Sequence, residues 1–355
     1  MKRFHLTHLF LGLSLSAMCL TGCGSSDTLK TPPASENSTE DFTTETAVTD
    51  STEFPITISH AFGETIIESK PTNIVTVGWE NQDTPLALGV VPTGTSAANY
   101  GLVTEDNIHP WTAEAYEALG EKNPVVFDDI DGLDFEAISD ANPDVILAAY
   151  SGMTEEEYTV LSEIAPVVAY PDAPWQTYWR DQTIINATGM GMRAEGEAKV
   201  AEIEAVIAEK VSEYPDLAGT KTAFFWISPD DFSTFYVYLP ADPRAAYLTD
   251  LGLEFPDSIL DMANSTSDFS ITLSRENTDQ LSDVEMMVVY GDQTLLDALL
   301  ADELMSQIPA VKNGAVVLVD STTALAGACT PSILSIPYTI DEYLSLLNEA
   351  HGKVK

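Results

Sequence analysis

The sequence predicts an α/β protein of two Rossmann-like lobes with mostly parallel sheets, joined by one long rigid α-helix, with a ligand cleft between the lobes. Three observations point there. Short apolar β-runs alternate with helical stretches in two successive sets. Between the sets, Arg193 to Tyr214 is rich in Ala, Glu, Lys, Val and Ile and meets no Pro until Pro215. The chain has 355 residues, 45% of them apolar, more than a single comfortable core holds.

The first set opens with a hairpin. Ile56 to Ile67 alternates around Gly63. Asn73 to Gly78 is a β-run leading into a helical stretch from Asp83 to Leu88, which Gly89 stops. Val90 to Gly94 reads as another strand. Pro143-Asp144 precedes the strand Val145 to Ala149; a helix from Thr154 to Ile164 and the strand Val167 to Tyr170 follow. In the long helix, Val200, Ile203, Val206, Ile207 and Val211 recur at helical spacing, and Pro215 and Gly219 end it. At 1.5 Å per residue it is roughly 30 Å long. The second set has strands at Thr222 to Ile227, Val284 to Tyr290 and Ala315 to Val319, and helices from Arg244 to Leu251 and Ile340 to Ala350. The sets echo one another. Leu88-Gly89-Val90-Val91-Pro92 resembles Leu251-Gly252-Leu253-Glu254-Phe255-Pro256, and Glu136 and Glu276 each lie 14 residues before a strand-closing Tyr, Tyr150 and Tyr290.

The N-terminal region carries a different message. A basic start at Lys2-Arg3, an apolar run from Leu9 to Leu20 and small residues after it form a secretory signal, too short for a permanent span. Leu20-Thr21-Gly22-Cys23 resembles the bacterial lipobox, which implies cleavage before Cys23 and a diacylglyceryl group on its thiol, a firm anchor. Thirteen of residues 24–54 are Ser or Thr and seven are acidic, with no apolar periodicity, so this segment reads as a solvated tether. The expected organisation is a signal peptide over 1–22, an anchored tether over 23–54, a first lobe over 55–188, the connecting helix over 189–215 and a second lobe over 216–355. Cys329 then has no intramolecular partner and reads as a buried free thiol.

Charge and motif content exclude several functions. Asp and Glu number 56 against 15 Lys and Arg, a formal net charge of -41. Such a surface repels nucleic-acid backbones. The chain has no G-x-S-x-G elbow, no P-loop, no G-x-G-x-x-G, no C-x-x-C and no H-x-x-x-H. After cleavage only His60, His109 and His351 remain, too few for a bare-metal site; His109 reads as solvated or packed. Nothing argues for catalysis.

Several segments, in order, resemble the ABC-importer substrate-binding lipoproteins that take up ferric siderophores, whose relatives bind cobalamin and haem. They are His60 to Thr65, Ile74 to Trp79 with Asp83 and Leu86 to Pro92, then Phe135 to Ile138 and Asn142 to Ile146. In the second lobe they are Tyr238 to Arg244, Leu248 to Gly252, Leu273 to Asn277 and Leu334 to Tyr338. The resemblance covers about residues 55 to 350. It implies a monomeric, non-enzymatic protein on the extracytoplasmic face of the cell membrane, limited lobe closure, no cofactor, and iron held by the chelator. It also implies that an exposed Glu on each lobe docks onto permease arginines, and Glu136 and Glu276 match those positions.

Cleft residues should lie at the carboxyl ends of strands. That rule and the aromatic content select Trp79, Tyr100, Tyr150, Trp175, Trp179 and Trp226, with Arg180 and Arg244 as the cations best placed to reach a ligand. Core packing is the competing role for the tryptophans, surface pairing for Arg180, and bracing of its own loop for Arg244. Bases are scarce, so a triply anionic catecholate chelate is poorly served. A near-neutral or cationic ferric hydroxamate is favoured. Cobalamin or haem is the alternative, with Tyr100 or Tyr150 as a haem ligand; a surface-anchored hydrolase or a sensor is a more distant one.

Overall fold

The structure is a computed structural model that describes residues 53–129 and 132–355. The signal segment, Cys23 and nearly all of the tether lie outside the described residues. A hairpin of β1 (Ile56–His60) and β2 (Gly63–Ile67) opens the fold, with Ile56, Ile58 and His60 turned inward.

The first lobe alternates β3 (Ile74–Thr76), α1 (Asp83–Ala87), β4 (Gly94–Ser96), α2 (Pro110–Ala118), β5 (Val126–Phe127), α3 (Phe135–Asp140), β6 (Val145–Ala148), α4 (Glu155–Ile164), β7 (Val167–Ala169) and α5 (Trp179–Gly189). Its sheet has the order β5-β4-β3-β6-β7 and every pairing is parallel. The central strands are wholly buried apolar runs, as a sheet covered on both faces requires. The order reverses between β3 and β6, which opens a crevice at their carboxyl ends. One expected strand is displaced. Val90 to Gly94 does not pair as a unit; the ladder begins at Gly94. Pro92 has no N–H to give, and Gly94 lies under the Phe127 ring, where a Cβ would come within 2.2 Å.

The connecting helix α6 (Arg193–Ser212) buries Val200, Ile203 and Ile207. They share one core with Tyr343, Leu344 and Leu347 of the last helix, so the connector is packed along its length. The second lobe contains β8 (Thr222–Trp226), β9 (Thr234–Tyr238), α7 (Pro243–Asp250), α8 (Asp257–Ala263), β10 (Ser270–Ser274), β11 (Met286–Tyr290), α9 (Gln293–Ala301), α10 (Pro309–Asn313), β12 (Val316–Val319), α11 (Ala324–Ala328) and α12 (Ser335–His351). Its sheet runs β10-β9-β8-β11-β12 and is mixed: β8, β11 and β12 are parallel, whereas β9 and β10 are antiparallel. The β9–β10 pair was not expected from sequence. The last helix starts five residues before Ile340, because Pro337 falls in its first turn, where no N–H is needed.

The lobes are tied by a buried polar cluster. His109 Nδ1 lies 2.5 Å from Glu80 Oε1, and Trp111 Nε1 donates to Glu80 Oε2 and Asp83 Oδ2, both at 2.9 Å. Thr112 Oγ1 donates to Asp83 Oδ1, and Ser332 Oγ, from the second lobe, donates to Asp83 Oδ2. Leu102 N donates to Thr323 O across the same seam. Burial alone would raise the Glu80 carboxyl, but the facing His109 holds it below its usual value. Burial alone would lower His109; the Glu80 carboxylate outweighs it and raises the imidazole. Burial, then the Glu80 charge, pushes Asp83 well above the usual carboxylate range. The cluster is therefore an ion pair beside a neutral acid, and no net charge is buried.

Two outcomes are expected. Ile203→Ala, in the α6 core, should cost about 2–5 kcal/mol in denaturant unfolding, against about 0.5 or less for the exposed Glu209→Ala. The raised His109 value makes its contribution complete below 6.5 and lost as pH rises through the folded value; neutral Asp83 acts in the same direction, and depressed Glu80 matters only in acid. The thermal midpoint should therefore fall as pH is raised above neutral. His109→Gln should flatten that limb and lower stability at pH 6.5 by about 3–5 kcal/mol, since it strips a buried carboxylate of its counter-charge.

Candidate ligand cleft

The crevice between β3 and β6 is a real cavity of about 380 Å³. Trp79, Ser96, Asp129, Met153, Glu157 and Trp175 line it. Its shape starts from two glycines. A Cβ on Gly78 would sit 2.7 Å from the Tyr150 carbonyl oxygen, and one on Gly152 would sit 2.4 Å from Trp175 Nε1. Glycine at both lets the loops after β3 and β6 touch and lets an indole lie flat on the backbone. Asn81 then stitches the strand ends together. Its Nδ2 donates to the carbonyls of Val77 and Tyr150 at 2.8 Å, and its Oδ1 accepts from Tyr150 N at 3.1 Å. Asn81 was missed from sequence; an Asn five residues past a strand end carries no signal by itself.

Trp79 and Trp175 form the aromatic part of the wall. Trp79 stands edge-on to His109 at 5.3 Å, and its buried Nε1 has no partner among the described residues. Trp175 stands edge-on to Tyr150 at 5.3 Å, and its N donates to Ser151 O. Trp175 adopts φ +61°, and Glu80, next in sequence to Trp79, adopts φ +56°. Such left-handed backbone at non-glycine residues is costly and collects at functional sites. On the floor, Asp129 accepts from Ser96 Oγ, while burial raises its carboxyl pKa. Glu157 accepts from the Thr154 N–H and hydroxyl at the start of α4.

At the seam near Tyr150 the second lobe contributes buried tyrosines and one cation. Arg244 makes a bidentate pair with Asp242, Nε to Oδ1 at 2.9 Å and Nη2 to Oδ2 at 2.7 Å. Its Cζ lies 3.9 Å above the Tyr238 ring, and Nη1 donates to the Tyr238 hydroxyl. Burial works against the Arg244 charge, but Asp242 outweighs it and raises the pKa. Tyr100 crosses from the first lobe and meets Tyr290 edge-on at 5.2 Å. Tyr150 is buried at the same seam, with Asp242 and Arg244 among its electrostatic neighbours.

Three selected residues stand elsewhere. Trp179 is only 2% exposed, packs in the core and donates from Nε1 to Asp250; it does not line the cavity between β3 and β6 but borders a separate one. Arg180 lies over the Trp179 ring and is ion-paired to Glu204 of α6 at 2.7 Å and to Asp250 at 2.8 Å. It lines a separate cavity with Tyr178, Pro240 and Phe255, which the two carboxylates explain as a surface brace. Trp226 closes β8 and is 40% exposed, paired across the strand with exposed Tyr236. Tyr236 was also missed, although the alternation in Thr234–Tyr238 signals a half-buried strand. Cys329 is fully buried and free, and burial pushes its thiol to about 12.

Glu136 and Glu276 are both exposed, each in the first turn of a short helix. Asp134 and Ser274 cap those helices by accepting from Ala137 N and Glu276 N. The two lobes thus present a carboxylate in matching local settings.

Comparison with known proteins fits this geometry. A search of curated sequences finds no match. The crystal structure of PiaA from Streptococcus pneumoniae TIGR4 in complex with ferrichrome is 45% identical, covering 84% of this chain and 99% of that one, with a TM-score of 0.82. The structure of PiaA from the same organism described as an iron-uptake ABC transporter substrate-binding protein is 44% identical over 84% and 100%, with a TM-score of 0.78. A periplasmic solute-binding protein from Mycobacterium smegmatis is 27% identical over 83% and 98%, with a TM-score of 0.66. The periplasmic binding protein family matches residues 74–323, and with two lobes meeting at an aromatic cleft, the chain belongs to that family of solute-binding proteins and is not an enzyme.

Proposed function

We propose that this protein captures a ferric hydroxamate siderophore in the cleft and delivers it to an ABC permease, while anchored by lipid at Cys23 on the outer face of the cell membrane. One observation carries the ligand class. Each of the four arginines among the described residues is committed to a carboxylate: Arg180 to Glu204 and Asp250, Arg193 to Glu197, Arg244 to Asp242 and Arg275 to Asp302. The cleft thus offers aromatic area and hydrogen-bond donors without a cluster of free positive charge. A tris-catecholate carrying three negative charges would meet Asp129, Glu157 and a neutralised arginine. A trihydroxamate complex is uncharged at the iron and asks only for apolar contact and a few donors. Trp79, Trp175 and Tyr100 supply the wall, and Arg244 with Tyr238 supplies donors. The likeness to PiaA, seen with ferrichrome, supports the same choice.

The haem alternative loses one of its ligands. Tyr150 is 4% exposed, so it offers no open axial position. Among the described residues no helix is long and apolar enough to cross a membrane, so attachment falls to the lipobox cysteine, which lies outside them. A single copy completes the cleft, which suits a monomer. Glu136 and Glu276, one per lobe, are suited to meet permease arginines in an oriented, salt-sensitive contact.

Titration with ferric trihydroxamates should quench tryptophan fluorescence at micromolar concentration or below, with ferric tris-catecholates weaker by about 100-fold or more. Absence of any response to hydroxamates would remove the ligand assignment. Glu136→Ala with Glu276→Ala should lower iron uptake by cells about tenfold or more while chelate affinity stays within experimental error. Undiminished uptake would remove the docking assignment.

A further inference from the structure

The first-lobe half of the cleft is acidic as well as aromatic. Among the described residues, Asp129 and Glu157 are the charged ones lining the cavity, and no Lys, Arg or His lines it with them. Among the described residues neither carboxylate belongs to an ion pair. Each is instead held by short-range donors that leave its charge uncompensated: the Ser96 hydroxyl for Asp129, and the Thr154 N–H and hydroxyl for Glu157. The opposing wall does not cancel them, because Arg244 is matched one to one by Asp242. Two indoles, Trp79 and Trp175, share the same space. Indole faces favour cations.

Carboxylates beside indoles around a cavity of about 380 Å³ are the reverse of what an anionic ligand needs and match an ammonium group on an alkyl stem. We propose that this half of the cleft is a cation-accepting subsite that selects ferric hydroxamates bearing a free amine, with Asp129 and Glu157 as the specificity-determining carboxylates. The inference rests on the hydroxamate reading above and adds the charge of the ligand. The uncharged iron centre sits toward the tyrosine and arginine side. The protonated amine reaches between the tryptophans, where it offsets part of the negative charge of the two carboxylates.

The test compares two linear ferric trihydroxamates that differ in one group: one ends in a primary amine, the other in a hydroxyl of the same chain length. Full-length protein in detergent micelles is titrated with each by tryptophan quenching at low salt and at 0.5 M sodium chloride. The amine form should bind about tenfold more tightly at low salt, and the preference should shrink as salt rises. In the Asp129→Asn, Glu157→Gln double variant the ratio of the two affinities should fall toward one. The ligand pair alone decides the matter in the unmutated protein, so a poorly folding variant does not blunt the test. Equal binding of both chelates by the unmutated protein overturns the subsite and leaves the hydroxamate assignment standing. Binding of neither overturns both.

Discussion

The buried ion pair between Glu80 and His109 is the constraint from which the cleft is built. Glu80 directly follows Trp79 and is held at positive φ, so whatever fixes its carboxylate also fixes where the indole points. His109 takes that carboxylate at Nδ1 and bonds the Tyr100 carbonyl with Nε2 at 2.9 Å. One imidazole therefore sets two ligand walls that are about twenty residues apart in sequence. The arrangement leaves no room for error on the far side. A Cβ on Gly327, in α11 of the second lobe, would lie 2.6 Å from His109 Nε2. Asp83 extends the same cluster to Ser332, so the walls of one lobe are positioned against the frame of the other.

This has a dynamic consequence. Lobes that meet only through a ligand can swing widely; these also meet through the buried Ser332–Asp83 hydrogen bond, the Leu102–Thr323 backbone bond and a packed helix. Breaking the seam would strip the buried Asp83 carboxyl of the Ser332 hydroxyl, a costly step for a buried polar group. Opening is thus expected to be a small rearrangement of loops around the tyrosines, and the packed α6 connector works in the same direction. The strained backbone at Trp175 fits a wall that must hold its shape before the ligand arrives.

Much of this was legible from the chain, and what was not has physical reasons. Parallel strands announced themselves because burial on both faces demands unbroken apolar runs such as Val145 to Ala148. The antiparallel β9–β10 pair did not, since Thr234 to Tyr238 mixes exposed and buried aromatics and lies next to a polar loop. Trp79 and Trp175 line the cavity at strand ends, where their place in the sequence put them, whereas Trp179, selected with Trp175 from three aromatics in seven residues, packs into the core beside a second cavity. Its fate was decided by Asp250, seventy-one residues away, which accepts its N–H. Arg180 was claimed by the same carboxylate. His109 could be called packed, but its partner Glu80 was one acid among 56, and no spacing rule singles it out. Pairing across folded space is what the linear pattern does not carry.

The charge balance reaches its full meaning only with that pairing known. A net charge of -41 says little about a ligand, because most of it lies on a solvated surface. What matters is whether any cation is left over at the cleft. With few bases in the sequence, every described arginine has found a carboxylate, and the one proposed to meet the ligand is neutralised by the residue two positions before it. Arg244 then works through directed N–H groups and through its plane on Tyr238, and much less as a net charge. A pocket built this way reads shape and hydrogen-bond pattern on its second-lobe side. Sign discrimination is left to the first lobe, where Asp129 and Glu157 stand without counter-ions among the described residues.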